Sequence, residues 1–144
     1  MLNPSLLRRI FFNYFSHLNT VCMKKYIHNF IVDAITILAN DYFTIVLSCP
    51  EPLPEVRPGQ FAEVLVHNST TTYLRRPLWI YDIDYEKNTM SFLVKKVGDG
   101  TKALAKLNAG EKLNVIYPLG NFFSEPKEKK ALLVGGGVGI APML

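Results

Sequence analysis

The sequence predicts a mainly β chain: an antiparallel barrel with one short helix, followed by the first strand and helix start of an α/β domain. Three observations predict it. Short segments rich in β-branched and aromatic residues recur, with turn signals about every 8–12 residues, over roughly the first 120 positions. One stretch with helical spacing interrupts them at Thr101–Leu107. A charged linker, Glu125–Lys130, then gives way to the wholly apolar run Ala131–Val134, and a glycine cluster follows at once. The expected organisation is an extension over residues 1–22, the barrel over 23–124, and an incomplete second domain over 125–144.

Each element has its own justification. Tyr26–Leu38 mixes β-branched and aromatic residues and reads as one strand, bent along its length. In Asp41–Leu47, Phe43, Ile45 and Leu47 alternate with Tyr42, Thr44 and Val46, the period of a half-buried strand. Pro50, Pro52, Pro54 and Pro58 exclude helix and central strand alike, so an extended loop runs to Arg57-Pro58-Gly59-Gln60. Phe61–His67 is a strand. Leu78–Ile83 and Met90–Val97 form a hairpin around the turn-like Asp84–Asn88. In Thr101–Leu107, Leu104 and Leu107 stand at i, i+3, with Thr101 placed as cap and Asn108-Ala109-Gly110 as stop. Leu113–Tyr117 is a further strand. Ala131–Val134 reads as a strand buried on both faces of a parallel sheet.

Composition narrows the function. The chain has 144 residues and 49% hydrophobic content, sufficient for one folded domain and its core. Its net charge of +4 comes from Arg8, Arg9, Lys24 and Lys25, and the body from Tyr26 onward is neutral. No basic run longer than a pair occurs there, which argues against a nucleic-acid binder. Cys22 and Cys49 fit no metal-ligand spacing, and two lone thiols without a secretion signal imply a reducing, cytosolic location. His17, His28 and His67 are scattered and read as unpartnered surface or strand residues, so no catalytic residue is expected.

Residues 1–22 stand apart. Ile10, Phe11, Phe12, Tyr14 and Phe15 follow Arg8-Arg9, but polar residues break the run well short of the ~20 residues that span a bilayer. A membrane-surface helix is one reading. The preferred reading is an over-called translation start, with the protein beginning at Met23.

Three segments carry chemistry. Leu74-Arg75-Arg76-Pro77-Leu78-Trp79-Ile80 sends two arginines into a strand. Such a pair is either solvated surface or a forked hydrogen-bonding partner for a pyrophosphate. Alternation along the strand sends Arg75 and Arg76 to opposite faces, and Arg76 is the one expected at the ligand. Val97-Gly98-Asp99-Gly100-Thr101 runs into the short helix, which is either an ordinary capped turn or a phosphate-binding helix start. Leu132–Pro142 has the strand–glycines–helix order that binds a dinucleotide pyrophosphate, although Pro142 stands where a third spaced glycine belongs.

Arg57-Pro58-Gly59-Gln60-Phe61, Arg75-Arg76-Pro77-Leu78, Val97-Gly98-Asp99-Gly100-Thr101, Pro118-Leu119-Gly120-Asn121 and Gly135-Gly136-Gly137-Val138-Gly139-Ile140-Ala141-Pro142 occur in the order and spacing of one family. From about Lys24 onward the chain resembles the ferredoxin-reductase superfamily, and within it the electron-transfer subunits of class B dihydroorotate dehydrogenase. The resemblance implies an FAD-binding barrel, an NAD-binding α/β domain and a [2Fe–2S] cluster, working with a catalytic dihydroorotate dehydrogenase subunit in pyrimidine biosynthesis. It assigns FAD contacts to Arg76, Pro77, Leu78 and Trp79, to Leu93, Val94 and Lys95, and to Gly100 and Thr101. It assigns NAD contacts to Gly135, Gly136, Gly137 and Gly139.

The sequence departs from the family in two respects. Trp79 stands where the family has serine, replacing a hydroxyl that bonds the flavin's polar edge. The chain ends at Leu144, before the rest of the NAD domain and the cluster cysteines, so NAD and [2Fe–2S] are not expected in it. Two alternatives stand beside the main reading. One is an FAD-binding fragment without catalysis of its own. The other is a related reductase subunit serving ferredoxin, sulfite or hydrogen chemistry.

Overall fold

The computed structural model describes residues 24–39, 41–67, 72–125 and 130–143. The extension 1–22, with His17 and Cys22, lies outside the described residues. The strands are β1 (Tyr26–Ala39), β2 (Tyr42–Ser48), β3 (Phe61–Val64), β4 (Arg76–Asp84), β5 (Thr89–Lys95) and β6 (Lys112–Leu119). They close in the order β1-β2-β5-β4-β3-β6, every pairing antiparallel. Closure leaves no open sheet edge, which is how a small all-β domain avoids edge-to-edge association.

The expected alternation produces the core. Phe43, Ile45 and Leu47 of β2 are fully buried, as are Met90 and Phe92 of β5 and Val115 and Tyr117 of β6. Fully burying each large side chain contributes about 1.5–3 kcal/mol. Helix α1 (Asp99–Leu104) covers one end of the barrel: Leu104 joins the core, and Ala103, Ala105 and Leu107 pack against it.

Two turns show why the chain folds as it does. In Arg57–Gln60 the Gln60 side-chain Oε1 accepts from the Arg57 amide at 2.8 Å, and Gly59 takes a φ of +94° that L-residues rarely adopt. Between β4 and β5, Asn88 holds a φ of 55°. Its side chain donates to the Cys49 and Glu51 carbonyls and accepts from the Leu53 amide, tying the proline-rich loop to the hairpin.

The structure corrects three expectations. Phe61–His67 is a strand only to Val64. Thr101 is the third residue inside α1, with Gly98 as the N-cap. Ala131–Val134 forms no strand, and Leu132 and Val134 are 89% and 77% exposed. A strand takes its hydrogen bonds from a neighbour, and none among the described residues runs alongside this one. The chain then winds into a 3₁₀ helix, η1 (Gly137–Met143), whose Ala141 and Pro142 are buried.

Candidate cofactor site

β4 brings the two arginines to the barrel rim and separates them. Arg76 shares the face of Leu78 and Ile80, which point toward the core, and emerges beside α1. Its Nε and Nη2 donate to the Leu74 carbonyl at 3.2 and 3.1 Å, and no carboxylate forms a salt bridge with it among the described residues. Its side chain lies across Gly100: a Cβ built on Gly100 would stand 2.9 Å from Arg76 Cδ and 3.2 Å from Thr72 Cγ2. Any larger residue at that position would displace the Arg76 stem. Arg75 leaves on the other side and donates to the carbonyls of Glu63 and Asn114 and to the Asn114 side-chain oxygen.

The turn into α1 is more self-contained than a phosphate-binding helix start. Thr101 Oγ1 accepts from the amides of Val97 and Gly98 at 2.9 and 3.2 Å and donates to the Gly98 carbonyl. Its hydroxyl is therefore engaged within the turn. With six residues, α1 also has a weak dipole. What the turn contributes is the close seat at Gly100.

The ladder between β4 and β5 opens beside this seat. It runs from Asp84↔Thr89 to Ile80↔Phe92 and stops. Upstream, Arg76–Trp79 pair with β3, while Leu93–Lys95 pair with β2. The two stretches singled out in the sequence thus border one notch, in which no ladder pair joins β4 to β5. Parted strands turn backbone donors and acceptors toward whatever occupies the gap.

The site residues differ in what they offer. Pro77 and Trp79 face outward, with Trp79 44% exposed and set edge-on against Phe61 at 5.8 Å. Leu93 is partly exposed and Lys95 exposed, whereas Val94 is buried in the core and can present only its backbone. Leu78 packs against the core and is likewise half-buried. The glycine segment comes to the same place, because η1 packs against β4 and β5. Its Pro142 carbonyl accepts from the Gly59 amide at 3.0 Å, and Gly137 approaches the Tyr42 hydroxyl. Gly135 is packed against Ile140 and Met143, while Gly136 and Gly139 have open space around them.

Sequence reasoning missed one cluster. His28 is not unpartnered: its Nδ1 lies 3.0 Å from the Tyr117 hydroxyl and 3.5 Å from Cys49 Sγ. Burial, followed by the neighbouring Cys49, pushes the Tyr117 hydroxyl well above its ordinary value of 10.0. The three residues are 21 to 89 positions apart, so no local pattern announces them. The Asn114 bridge to Arg75 was missed too, although a polar residue inside the apolar Lys112–Leu119 strand was a visible signal.

No family-level sequence profile matches the chain. Solved structures do. An NADH-dependent reduced ferredoxin-NADP oxidoreductase matches with 33% identity over 79% of this chain and 41% of its own, at a TM-score of 0.70. The Amycolatopsis cytochrome P450 reductase GcoB matches at 27% identity and TM-score 0.69, over 83% of this chain and 37% of its own. A phthalate dioxygenase reductase matches at 25% identity and TM-score 0.70, over 81% and 37%. The closed barrel, with α1 at its end and Arg76 over Gly100, is therefore a barrel of the ferredoxin-reductase type.

The curated relatives are more particular. The dihydroorotate dehydrogenase B electron transfer subunit of Lysinibacillus sphaericus is 38% identical over 109 residues, 74% of this chain and 42% of the relative. That of Bacillus mycoides is 43% identical over 89 residues, 60% and 34%. The chain is a homologue of these electron transfer subunits, and its barrel is of the ferredoxin-reductase type. It spans between about a third and two fifths of their length.

Proposed function

We propose that the barrel binds FAD at the β4–β5 notch and carries the flavin of an electron-transfer subunit. The observation that supports this is the convergence on one notch of Arg76, the tight seat at Gly100 and the parted strands. A dinucleotide flavin fits that donor set. Its pyrophosphate needs a forked cation, and Arg76 is a guanidinium without a salt bridge among the described residues. Its flat ring needs backbone donors and acceptors along an edge, and Arg76–Trp79 and Leu93–Lys95 have them.

When bound, FAD supplies both hydride acceptance and single-electron release. The residues of this chain bind and orient it. Arg76 would neutralise the phosphates, Gly100 gives the Arg76 stem its seat, and β4 and β5 would hold the ring. Trp79 covers one side with an indole in place of the family's hydroxyl.

The remaining assignments extend this reading. Residues 125–144 begin an NAD-binding domain, with Gly135, Gly136, Gly137 and Gly139 toward the nicotinamide dinucleotide. A flavin held at the notch would exchange electrons with a nicotinamide dinucleotide and, through an iron–sulfur cluster of the whole protein, with a catalytic dihydroorotate-oxidising partner subunit in the cytoplasm. Cys49 is the single cysteine among the described residues and fits no cluster site, so no step through iron is assigned to these residues. No helix among the described residues is long and apolar enough to cross a membrane.

The test is to reconstitute the purified chain with FAD or FMN and identify the retained flavin by chromatography after heat release. Retention of FAD is expected. Retention of FMN alone overturns the pyrophosphate assignment, and retention of neither overturns the flavin site.

A further inference from the structure

Arg75 is half-buried, lies outside the notch, and spends its guanidinium on protein. Nη1 donates to the Glu63 carbonyl on β3 at 3.3 Å and to the Asn114 carbonyl on β6 at 3.2 Å, and Nη2 donates to the Asn114 side-chain oxygen at 2.5 Å. Asn114 in turn donates to the Asn29 side chain on β1 at 2.7 Å. One side chain at the entry of β4 is thereby tied across β3 and β6 to β1.

This tie sits where the barrel is otherwise weakest. The segment Arg76–Trp79 has left β5 and pairs only with the four-residue β3. The pairing of β3 with β6 is itself interrupted by a register shift between Phe61 and Glu63. Short, interrupted ladders hold a strand loosely, and a planar five-donor guanidinium is suited to bridging several acceptors at once.

We propose that Arg75 is the positioning residue of the cofactor site: through Asn114 it braces the entry of β4, so that Arg76 stays against Gly100 and Trp79 stays at the notch. The proposal rests on the flavin-binding reading for its functional consequence, but the brace itself has a flavin-independent readout. Trp79 is the only tryptophan in the chain and stands on the braced segment, so its accessibility reports the position of β4.

The experiment compares the parent with Arg75→Met, Arg75→Lys, Asn114→Ala and the double variant Arg75→Met/Asn114→Ala. All are held at a temperature where circular dichroism shows full folding. Acrylamide quenching of Trp79 is measured without flavin, and FAD affinity by flavin titration. Arg75→Met and Asn114→Ala should raise Trp79 quenching and weaken FAD about tenfold, the size of one lost hydrogen bond to a charged group. Arg75→Lys should recover part of both. The double variant should be no worse than Arg75→Met, because both changes cut the same tie.

Parent-like quenching together with FAD affinity within about twofold of the parent, in folded Arg75→Met or Asn114→Ala, overturns the proposal, as do additive losses. If Arg75→Met does not fold, Asn114→Ala decides, since it leaves the guanidinium its carbonyl acceptors. If the parent itself binds no FAD, the flavin reading falls, and quenching alone still tests the brace. Unchanged quenching then overturns it, and raised quenching upholds it.

Discussion

Arg76 lies across Gly100 so closely that a methyl group on the glycine would stand 2.9 Å from Arg76 Cδ. The two residues come from different elements, β4 and α1, and their contact joins the end of the barrel to the rim of the notch. Gly100→Ala should therefore separate stability from binding. The arginine stem can swing away, and alanine favours the helix by about 1 kcal/mol, so the melting temperature should hold or rise. FAD affinity should fall about tenfold because Arg76 is displaced. Thermal melts and flavin titration on the same sample check this, and unchanged affinity would refute it.

Arg76→Ala should weaken FAD by about 1.5–3 kcal/mol, the usual range for a hydrogen bond to a charged group. Arg76→Lys should fall between parent and Arg76→Ala, because an ammonium keeps the charge and loses the fork. Equal affinities for lysine and arginine in calorimetry would show that charge alone matters.

Trp79 stands edge-on to Phe61 and partly exposed, in the position where the resemblance implies a serine. Adding FAD should quench its emission. Trp79→Ser should preserve or tighten binding by restoring a hydroxyl. Emission that ignores the flavin would place the ring elsewhere.

The Tyr117 hydroxyl has a pKa raised above its ordinary 10.0 by burial and then by Cys49. A group that binds its proton more tightly in the folded state contributes stability that is present below its unfolded pKa and lost as pH rises through the folded value. The parent should lose stability above about pH 10. Tyr117→Phe removes the hydrogen bond to His28, costing about 1 kcal/mol near neutrality, but should escape this alkaline loss. Denaturant midpoints across that range should converge with rising pH, and curves that stay parallel would exclude Tyr117 as the titrating group.

Leu104 is the residue through which α1 seals the barrel end, and it is 1% exposed. Leu104→Ala should cost about 2–5 kcal/mol, read from urea unfolding. A cost below about 1 kcal/mol would mean that the helix end repacks freely.

Six strands, their turns and the one short helix are legible in the linear pattern alone. Period-two alternation in Tyr42–Ser48 and Thr89–Lys95, the proline run and Asn88 are local signals, and local signals survive in a linear reading. Proline, paired arginine and glycine also mark Arg75–Pro77 and Gly100, whereas Leu93–Lys95 carries no such local signal and is reached only through the family resemblance. Tertiary structure decided what those segments do together. The point where β4 parts from β5, the departure of Arg75 toward Asn114 while Arg76 turns to Gly100, and the meeting of His28 with Cys49 and Tyr117 all depend on partners many residues away. The same reason explains the failure at Ala131–Val134. Its apolar run has the composition of a buried strand, but a strand exists only where another supplies its hydrogen bonds, and a linear pattern cannot contain that neighbour.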